Sequence, residues 1–299
     1  MQFQIIWDSQ SSSLRNFVSG YKLVKLANGS HSLHSLKYRE TLHPGLGPAQ
    51  EAEALYVRQL HLTERLQKHE GEFIVWDIGL GAAANALTLL RATEKVPCSI
   101  RLLSFDYTIE PLQFALEHKT DLGFLNGYET QVEQLVREHH VAFENGAQKI
   151  TWNLHLADFP TLLTQPAAQK SSKPHVIMFD AYSPASNPAM WTLPLFTNLF
   201  RLLDPNRPCA LPTYSRSTIL RTTLLLAGFF VGVGQATGQK EETTIAANTL
   251  ELLAEPLDRR WLERARRSDS AEPLVEPIYS RAPLSDSTWE KLQRHPQFG

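Results

Sequence analysis

The stretch from Phe73 to Leu90 constrains the fold more than any other part of the sequence. A short apolar run predicts a buried strand, followed by a turn with two glycines and a helix rich in alanine and leucine. Gly79 and Gly81 let the backbone turn sharply and approach a ligand without an intervening Cβ atom. The helix then begins with N–H groups that no helical carbonyl satisfies. We therefore predict a nucleotide-type binding site, with strand–helix packing without a ligand as the alternative.

The composition is that of a globular protein with one large domain, or one domain and an appendage. The 299 residues are 42% apolar and 20% charged, with a formal net charge of −2. This charge gives no whole-protein attraction to phosphate, so a nucleic-acid partner needs a local basic patch. Cys98 and Cys209 stand apart from any metal-ligand spacing, and we predict no metal site. No apolar run approaches about 18 residues, which predicts no membrane span and a cytoplasmic location.

Strands and helices alternate through most of the chain, which predicts a mostly parallel α/β sheet. We expect an N-terminal β segment and helix at 1–70, packed on a main domain at 71–254, and a basic helical tail at 255–299. Beyond the first strand of the main domain, strands are predicted at 99–105, 150–156, 175–179 and 208–214, with a last antiparallel pair at 229–233 and 243–252. Helices are predicted at 109–119 and 127–141.

Three successive strands of the predicted sheet end in aspartates, Asp106, Asp158 and Asp180. Ligands of open α/β sheets bind beyond the carboxyl ends of the strands, where these side chains would meet. Asp106 follows the second strand, the position from which an acid contacts ribose hydroxyls in nucleotide folds. Aspartate is also a common helix N-cap, so capping of the following helices is the alternative for each of them.

The segment after the fourth strand, from Phe179 to Trp191, combines an acid, prolines, an asparagine and two aromatic residues. A purely structural connection does not need this composition. An acid beside stacking aromatic rings suits a methyltransferase that acts on a nitrogen attached to a planar base.

This segment resembles a family signature, and the resemblance extends over roughly residues 30–250. The residues that fit Asp-Gly-Phe-x-Pro-x-x-Asn-Pro-x-Met-Trp are Asp180, Pro184, Asn187, Pro188, Met190 and Trp191. Similar segments lie upstream at Glu40, Glu53 and Tyr56 and downstream at Tyr214, Arg221, Lys240 and Glu242. The family is the methyltransferase that completes 5-methylaminomethyl-(2-thio)uridine at the tRNA wobble position. Its usual Gly-x-Gly-x-Gly-x-Asn turn is Gly79 to Asn85 here, with Ala83 in place of the third glycine.

The resemblance implies a class I methyltransferase-like Rossmann fold, whose seven-stranded, mostly parallel sheet has an antiparallel last strand, plus an N-terminal hairpin. It implies S-adenosyl-L-methionine as the cofactor and the tRNA anticodon loop as the partner, with a separate oxidoreductase and neither metal nor membrane. Asp180 is the implied catalytic residue, which orients the amine. The expected cofactor-binding residues are Glu53, Asp77, Gly79, Gly81, Asn85, Asp106, Asp158 and Asp180. The expected substrate-binding residues are Tyr182, Pro184, Asn187, Trp191, Arg216 and Lys240.

Three alternatives stay open at this point. A methyltransferase of small amines, or an aminopropyltransferase of the spermidine-synthase kind, would also use a strand-end aspartate to handle an amine. The net charge of −2 suits these as well as it suits tRNA. A protein that kept the fold and binds cofactor or RNA without catalysis is the third.

Overall fold

The structure is a computed structural model that describes residues 20–237 and 241–299. Its strands are β1 (Tyr21–Lys25), β2 (His31–Ser35), β3 (Glu40–Thr41), β4 (Glu72–Ile78), β5 (Ser99–Asp106), β6 (His140–Asn145), β7 (Gln148–Leu156), β8 (Val176–Phe179), β9 (Ala210–Thr213), β10 (Phe230–Gly234) and β11 (Thr243–Ala247). Its α-helices are α1 (Pro48–Ala52), α2 (Leu62–Gln67), α3 (Ala84–Thr93), α4 (Glu110–Glu117), α5 (Lys119–Leu122), α6 (Glu129–Glu138), α7 (Phe159–Thr164), α8 (Pro166–Gln169), α9 (Leu193–Leu202), α10 (Thr218–Ala227), α11 (Arg259–Arg266) and α12 (Asp286–Gln293). A π-helical segment, Glu53–Arg58, continues α1, and short 3₁₀ helices occur at Pro188–Trp191, Leu250–Leu252 and Pro296–Phe298.

The main sheet has the order β10-β11-β9-β8-β4-β5-β7-β6. The five central strands, β9 to β7 in this order, run parallel, and both edges are antiparallel. This confirms the predicted fold class of a mostly parallel sheet with an antiparallel last strand. Within the described residues the sheet has eight strands, one more than the seven predicted.

The additional strand is β6, and its start was placed wrongly within the helix predicted at 127–141. Helix α6 ends at Glu138 because His139 adopts a left-handed conformation with φ of 56°. The chain then pairs with β7 through a hairpin that turns at Gly146, whose φ is 59°. Val141 is buried in this strand while its neighbours His140 and Ala142 are exposed, the alternation of a half-buried edge strand.

Strand β4 lies at the centre of the sheet, and its apolar side chains contribute to both cores. Phe73 and Val75 pack on the face that also carries α3, α4 and α6. Ile74, Trp76 and Ile78 pack on the face covered by α9, α10 and α11. A strand buried on both faces needs a continuous apolar run, which is why the sequence marks this one so clearly.

The C-terminal residues belong to the second of these cores. Trp261 and Leu262 of α11 are buried in it, and Thr222 of α10 donates a hydrogen bond to the carbonyl of Ala271. The side chain of Gln297 bonds both the N–H and the carbonyl of Val231 in β10. The tail therefore docks on the sheet, while the predicted domain limits at 70 and 254 stay a prediction.

The register aligns the carboxyl ends of the central strands. Ile78, the last residue of β4, pairs with Phe105 of β5 on one side and with Phe179 of β8 on the other. The small antiparallel sheet β1-β2-β3 contributes residues that face this edge, including Tyr21 and Ser35. The part of the N-terminal segment before residue 20 lies outside the described residues. Two walls, one from the main sheet and one from the N-terminal sheet, thus enclose a cavity.

Candidate active site

The cavity at the carboxyl edge has a volume of about 710 Å³. This size falls within the usual range for sites that bind small molecules and cofactors. The main-sheet wall, as we call it, consists of Ile78–Gly81, Phe105–Thr108, Glu110, Pro111, Ala157–Phe159, Asp180–Ser183, Asn187, Ala189, Met190 and Tyr214. The N-terminal wall consists of Gly20, Tyr21, Ser35, Lys37, Tyr38, Glu40–Pro44 and Glu51.

The turn after β4 forms the floor of the cavity. Gly79 has a φ of 87°, and a Cβ atom there would lie 2.6 Å from the carbonyl oxygen of Asp180. Gly81 also has positive φ, and its N–H donates a hydrogen bond of 2.9 Å to Asp106 Oδ2. Ala83, the residue before α3, adopts the left-handed conformation with φ of 64°. The turn thus needs positive φ at three positions, of which two are glycines.

Asp106 and Asp158 both line the cavity, as predicted from their positions at strand ends. Asp106 accepts hydrogen bonds from the N–H groups of Gly81 and Thr108, while burial raises the pKa of its carboxyl group above the usual value. Asp158 also caps α7, accepting hydrogen bonds from the N–H and the hydroxyl of Thr161. Asp158 is therefore both the N-cap of α7 and a residue that lines the cavity.

Asp180 is the carboxylate at the centre of the site. Its Oδ2 accepts a hydrogen bond of 2.7 Å from the side-chain amide of Asn85, which fixes the orientation of the carboxylate from the start of α3. His43 approaches the same oxygen from the N-terminal wall, with Nε2 at 3.5 Å, and its Nδ1 lies 3.7 Å from Glu51 Oε2. The imidazole therefore stands between two carboxylates inside the cavity.

Asp77, one residue before the end of β4, is fully buried below the floor and does not line the cavity. Its Oδ2 accepts a hydrogen bond of 2.8 Å from Ser104, whose hydroxyl in turn accepts one from the indole of Trp152. Burial raises the pKa of Asp77 to about 7, and the negative charge of Asp180 acts in the same direction. Asp77 Oδ1 and Asn85 Oδ1 are buried without a hydrogen-bond partner among the described residues.

Aromatic rings flank the mouth of the cavity. The ring of Tyr182 stacks on that of Tyr38, with centroids 4.1 Å apart and planes at 23°. Asn187 also lines the cavity. Trp191 is only 3% exposed and is not among the lining residues; it packs edge-on against Phe179, and its indole donates to the carbonyl of Tyr182. It thus supports the loop from the core.

Comparison with known proteins bears on the fold and the class of enzyme. A family model described as S-adenosyl-L-methionine-dependent methyltransferase matches residues 123–249. The structure of MNMC2 from Aquifex aeolicus superposes with a TM-score of 0.67 at 21% identity, covering 92% of this chain and 82% of that one. The match and the fold together confirm the predicted enzyme class, an S-adenosylmethionine-dependent methyltransferase.

Curated relatives of the methyltransferase carry the name tRNA 5-methylaminomethyl-2-thiouridine biosynthesis bifunctional protein MnmC. The relative from Methylibium petroleiphilum is 27% identical over 247 residues, which are 80% of this chain and 36% of the relative. The relative from Aeromonas hydrophila is 28% identical over 206 residues, which are 64% of this chain and 30% of the relative. The chain spans about a third of the length of these proteins, and the resemblance predicted from the sequence is confirmed.

The fold also resembles that of a spermidine synthase in complex with the transition-state analogue AdoDATO, with a TM-score of 0.50 at 12% identity. That structure covers 96% of the methyltransferase, and the likeness concerns the fold alone.

The residues around the cavity fit the cofactor that family and fold imply. Carboxylates of both walls, Asp106, Asp158, Asp180 and Glu51, line a cavity that would receive a cationic sulfonium, an amino group and a ribose. These are groups that carboxylates bind by charge and by accepted hydrogen bonds. The unpartnered oxygens of Asp77 and Asn85 add acceptors just below the floor.

Several predicted site residues of the methyltransferase lie away from the cavity lining. These are Glu53, Asp77, Asn85, Pro184, Trp191 and Arg216. Arg216 is exposed and follows Tyr214, whereas Lys240 lies outside the described residues. The helical carboxylate that lines the cavity is Glu51 rather than Glu53, because side chains two positions apart on a helix point in very different directions.

Sequence reasoning missed Tyr38, His43 and Glu51 as lining residues. Glu40 was noted only as part of the resembling upstream segment. A dense run of polar residues around two prolines, from Lys37 to Pro48, was the available signal. Within the described ranges 20–237 and 241–299, no three His, Cys, Asp or Glu side chains group as metal ligands, and no helix is long and apolar enough to span a membrane.

Proposed function

We propose that this methyltransferase methylates the primary amine of 5-aminomethyl-(2-thio)uridine at the tRNA wobble position. The observation that carries the proposal is the Asp180 carboxylate, which faces the cavity at the end of β8 beside the stacked rings of Tyr38 and Tyr182. The site thus joins an acceptor for an amine to aromatic surface for a planar base. Relatives whose names refer to this nucleoside support the choice of substrate.

The first task of the site is to handle the charge of the amine. An alkyl amine resembles lysine, whose pKa is about 10.4, so it is protonated at neutral pH and lacks a lone pair for attack. Bound S-adenosylmethionine supplies a methyl group on a positively charged sulfur. Asp180 accepts an N–H of the amine and turns the nitrogen towards that methyl group, while Asn85 holds the carboxylate in place.

The second task is to admit a nucleobase. The ring of Tyr182 is backed by Tyr38, and the hydroxyl of Tyr214 supports the loop by donating to the carbonyl of Ala181. A wobble base lies in a single-stranded loop, so it reaches a pocket at little cost in unpairing. We include Tyr182 and Asn187 as contacts to the base.

The tRNA backbone requires local positive charge because the net charge of the chain is −2. Exposed arginines provide it at Arg259, Arg260 and Arg264 of α11 and at Arg216 next to the cavity residue Tyr214. We assign phosphate contacts to this arginine group. Because the substrate carries an aminomethyl group, we also propose that an oxidoreductase activity, separate from this domain, supplies it.

The test is methyl transfer to tRNA that carries 5-aminomethyl-2-thiouridine, followed by nucleoside mass spectrometry. We expect a mass gain of one methyl group at that nucleoside with the wild-type protein, and a loss of about 100-fold in rate with Asp180→Asn. Putrescine offered in place of tRNA is the matched control for a small-amine enzyme. Methylation of putrescine with no change in the tRNA nucleoside would contradict the proposal.

A further inference from the structure

His43 lines the cavity, and the proposed reaction gives it no role. Its ring is about one-tenth exposed and bridges Asp180 on the main-sheet wall and Glu51 on the N-terminal wall. Nε2 lies 3.5 Å from Asp180 Oδ2, and Nδ1 lies 3.7 Å from Glu51 Oε2. Catalytic hydrogen bonds are often long in a protein without substrate and shorten when the substrate binds.

The backbone holds this histidine in a strained conformation. His43 has a φ of 49°, a left-handed conformation that non-glycine residues adopt rarely and that concentrates at functional sites. The neighbouring Leu42 is fixed by a hydrogen bond from its N–H to the carbonyl of Leu33 in β2. The backbone therefore presents the imidazole to the cavity instead of relaxing away from it.

The contacts of Glu51 favour its ionised form next to His43. One carboxylate oxygen accepts hydrogen bonds from the N–H groups of Gly45 and Leu46, at 2.9 and 3.1 Å, and the other faces His43. Although burial opposes it, the neighbouring imidazole and these two amides hold the pKa of Glu51 below its usual value. A carboxylate that stays ionised on one side of an imidazole stabilises the imidazolium that forms when the ring accepts a proton.

We propose, on the basis of the proposed function, that His43 is a positioning residue which accepts, through Asp180, the proton that the substrate ammonium must lose. The N–H bond breaks, its electron pair remains on nitrogen, and the proton passes by way of Asp180 to Nε2 of His43. The nitrogen then uses that pair to bond the methyl carbon, whose bond to sulfur breaks with its electrons on sulfur. Glu51 stabilises the imidazolium that results.

An imidazole is better matched to this task than Asp180 alone. The reference pKa of histidine is about 6.5, against about 3.9 for aspartate, so the imidazole is the stronger base and the one poised near neutral pH. Among the described residues, the titratable groups around it include Glu51 from α1, Asp180 after β8, and Asp77, Tyr56 and Tyr214, which interact with these carboxylates. Burial raises the pKa of both tyrosines, so they stay neutral, whereas the carboxylates of Glu51 and Asp180 face His43.

The kinetic test compares His43→Gln with the wild-type protein. We expect kcat for the aminomethyl nucleoside in tRNA to fall about 100-fold. The dissociation constant of S-adenosylmethionine, measured by calorimetry, should change less than about threefold. We also expect kcat of His43→Ala to recover in part on addition of imidazole, which a merely structural role would not produce. Unchanged kcat in His43→Gln, or equal losses in kcat and cofactor affinity, would overturn the proposal.

A second measurement is independent of the substrate. In a histidine-selective NMR titration of the full chain, the resonance of His43 is assigned by its absence in His43→Gln. It should titrate at lower pH in Asp180→Asn and in Glu51→Gln than in the wild type, because each variant removes a negative charge next to the ring. An unchanged titration in both variants would disprove the network even if methyl transfer to tRNA is observed. A shifted titration without any methyl transfer to tRNA would contradict the proposed function and support the network around His43.

Discussion

The two walls of the cavity differ in how the sequence encodes them. The main-sheet wall follows from strand ends that lie side by side by register. Its acids lie at or just beyond these ends: Asp106 is the last residue of β5, Asp158 is two residues beyond β7, and Asp180 directly follows β8. The N-terminal wall combines residues of the small sheet with loop and short-helix residues such as His43 and Glu51, which meet the main sheet only through folding. The residues of the main-sheet wall are therefore placed by the register of the sheet, whereas those of the N-terminal wall are placed by tertiary contacts with it.

The walls are joined by a small number of polar contacts. Glu40 accepts hydrogen bonds from the N–H of Ser183 and from the hydroxyls of Ser183 and Ser186, which ties β3 to the loop after β8. His43 reaches Asp180 in the same region. We infer that damage to the main-sheet wall affects folding first, whereas damage to the N-terminal wall affects mainly the order of the site. The predictions below test this difference.

The largest effect is expected from Gly79→Ala in the main-sheet wall. The new Cβ would lie 2.6 Å from the backbone oxygen of Asp180, in a residue whose φ of 87° already disfavours a side chain. Left-handed strain and overpacking together should lower the free energy of unfolding by about 2–5 kcal/mol, measured by urea denaturation.

Gly81→Ala is the matched control for this prediction. Its φ is 52°, and its Cβ would meet only the end of the Leu42 side chain at 3.0 Å, which can move. We expect a loss of about 1–2 kcal/mol, from the backbone strain alone. Equal losses in the two variants would mean that contact with the Asp180 backbone does not distinguish the two glycines.

The sequence predicted the main-sheet wall well for a physical reason. Strand β4 is buried on both faces, so its apolar run and its glycine turn are local signals that survive without tertiary information. The same reasoning found Asp180 and Tyr182, because both lie within three residues of the end of β8. It missed the start of β6, because the polar residues after α6 fit a continued helix as well as an edge strand. The helix ends where His139 adopts a left-handed conformation, which the sequence does not reveal.

The N-terminal wall was less predictable because its roles depend on contacts distant in sequence. Glu40 and Ser183 are 143 positions apart, and nothing local marks the pair. Glu51 and Glu53 are equally acidic in the sequence, and only the direction of the helix decides which one meets His43. Trp191 fits the signature yet lies in the core. The sequence did not predict this, because the burial of a large ring cannot be read from a motif.

The second prediction concerns Asp77, which is buried below the main-sheet wall. Burial raises the pKa of Asp77 to about 7, above the value near 4 that it has when unfolded. The folded state therefore retains a proton that the unfolded state has lost, and stability falls as pH rises from about 4 to 7. Asp77→Asn keeps an acceptor for Ser104 but does not titrate, so this fall should shrink by at most about 4 kcal/mol.

Urea denaturation at about pH 5.0 and 7.5 measures the effect over the upper two units or so of that window, which correspond to at most about 2.7 kcal/mol. Asp269→Asn, in the exposed tail, is the control and should follow the wild-type curve at both values. If Asp77→Asn loses stability between these pH values as steeply as the wild type does, Asp77 is not the group responsible.

The third prediction tests the contact between the walls. Glu40→Ala removes the acceptor for three donors, Ser183 N, Ser183 Oγ and Ser186 Oγ, while leaving both cores intact. We expect amide hydrogen exchange in β2 and β3 to accelerate about tenfold, equivalent to about 1.4 kcal/mol of local stability. Exchange in β4 should stay as in the wild type.

Glu144→Ala, at an exposed position of the edge strand β6, is the matched control for the loss of a carboxylate. It should leave exchange in β2 and β3 unchanged. If Glu40→Ala instead accelerates exchange throughout the main sheet, the N-terminal wall is part of the global folding unit and the distinction between the walls fails.

The smallest effect is expected from Ala83→Gly, in the turn behind the main-sheet wall, where the sequence departs from the resembling family. Ala83 is left-handed with φ of 64°, which costs about 1–2 kcal/mol for a residue with a Cβ atom. Glycine removes that strain but loses about 0.4–1 kcal/mol because the unfolded chain becomes more flexible. We expect a net gain of about 0.5 kcal/mol in the free energy of unfolding.

Ala86→Gly, inside α3 and equally buried, separates the two contributions. There the backbone is right-handed, so glycine brings only its cost of about 1 kcal/mol, and the two variants should differ by about 1.5 kcal/mol in opposite directions. A loss of the same size at both positions would mean that the turn holds Ala83 without strain. Alanine would then be as suitable as glycine at this point of the cofactor turn, and the departure from the family would carry no energetic cost.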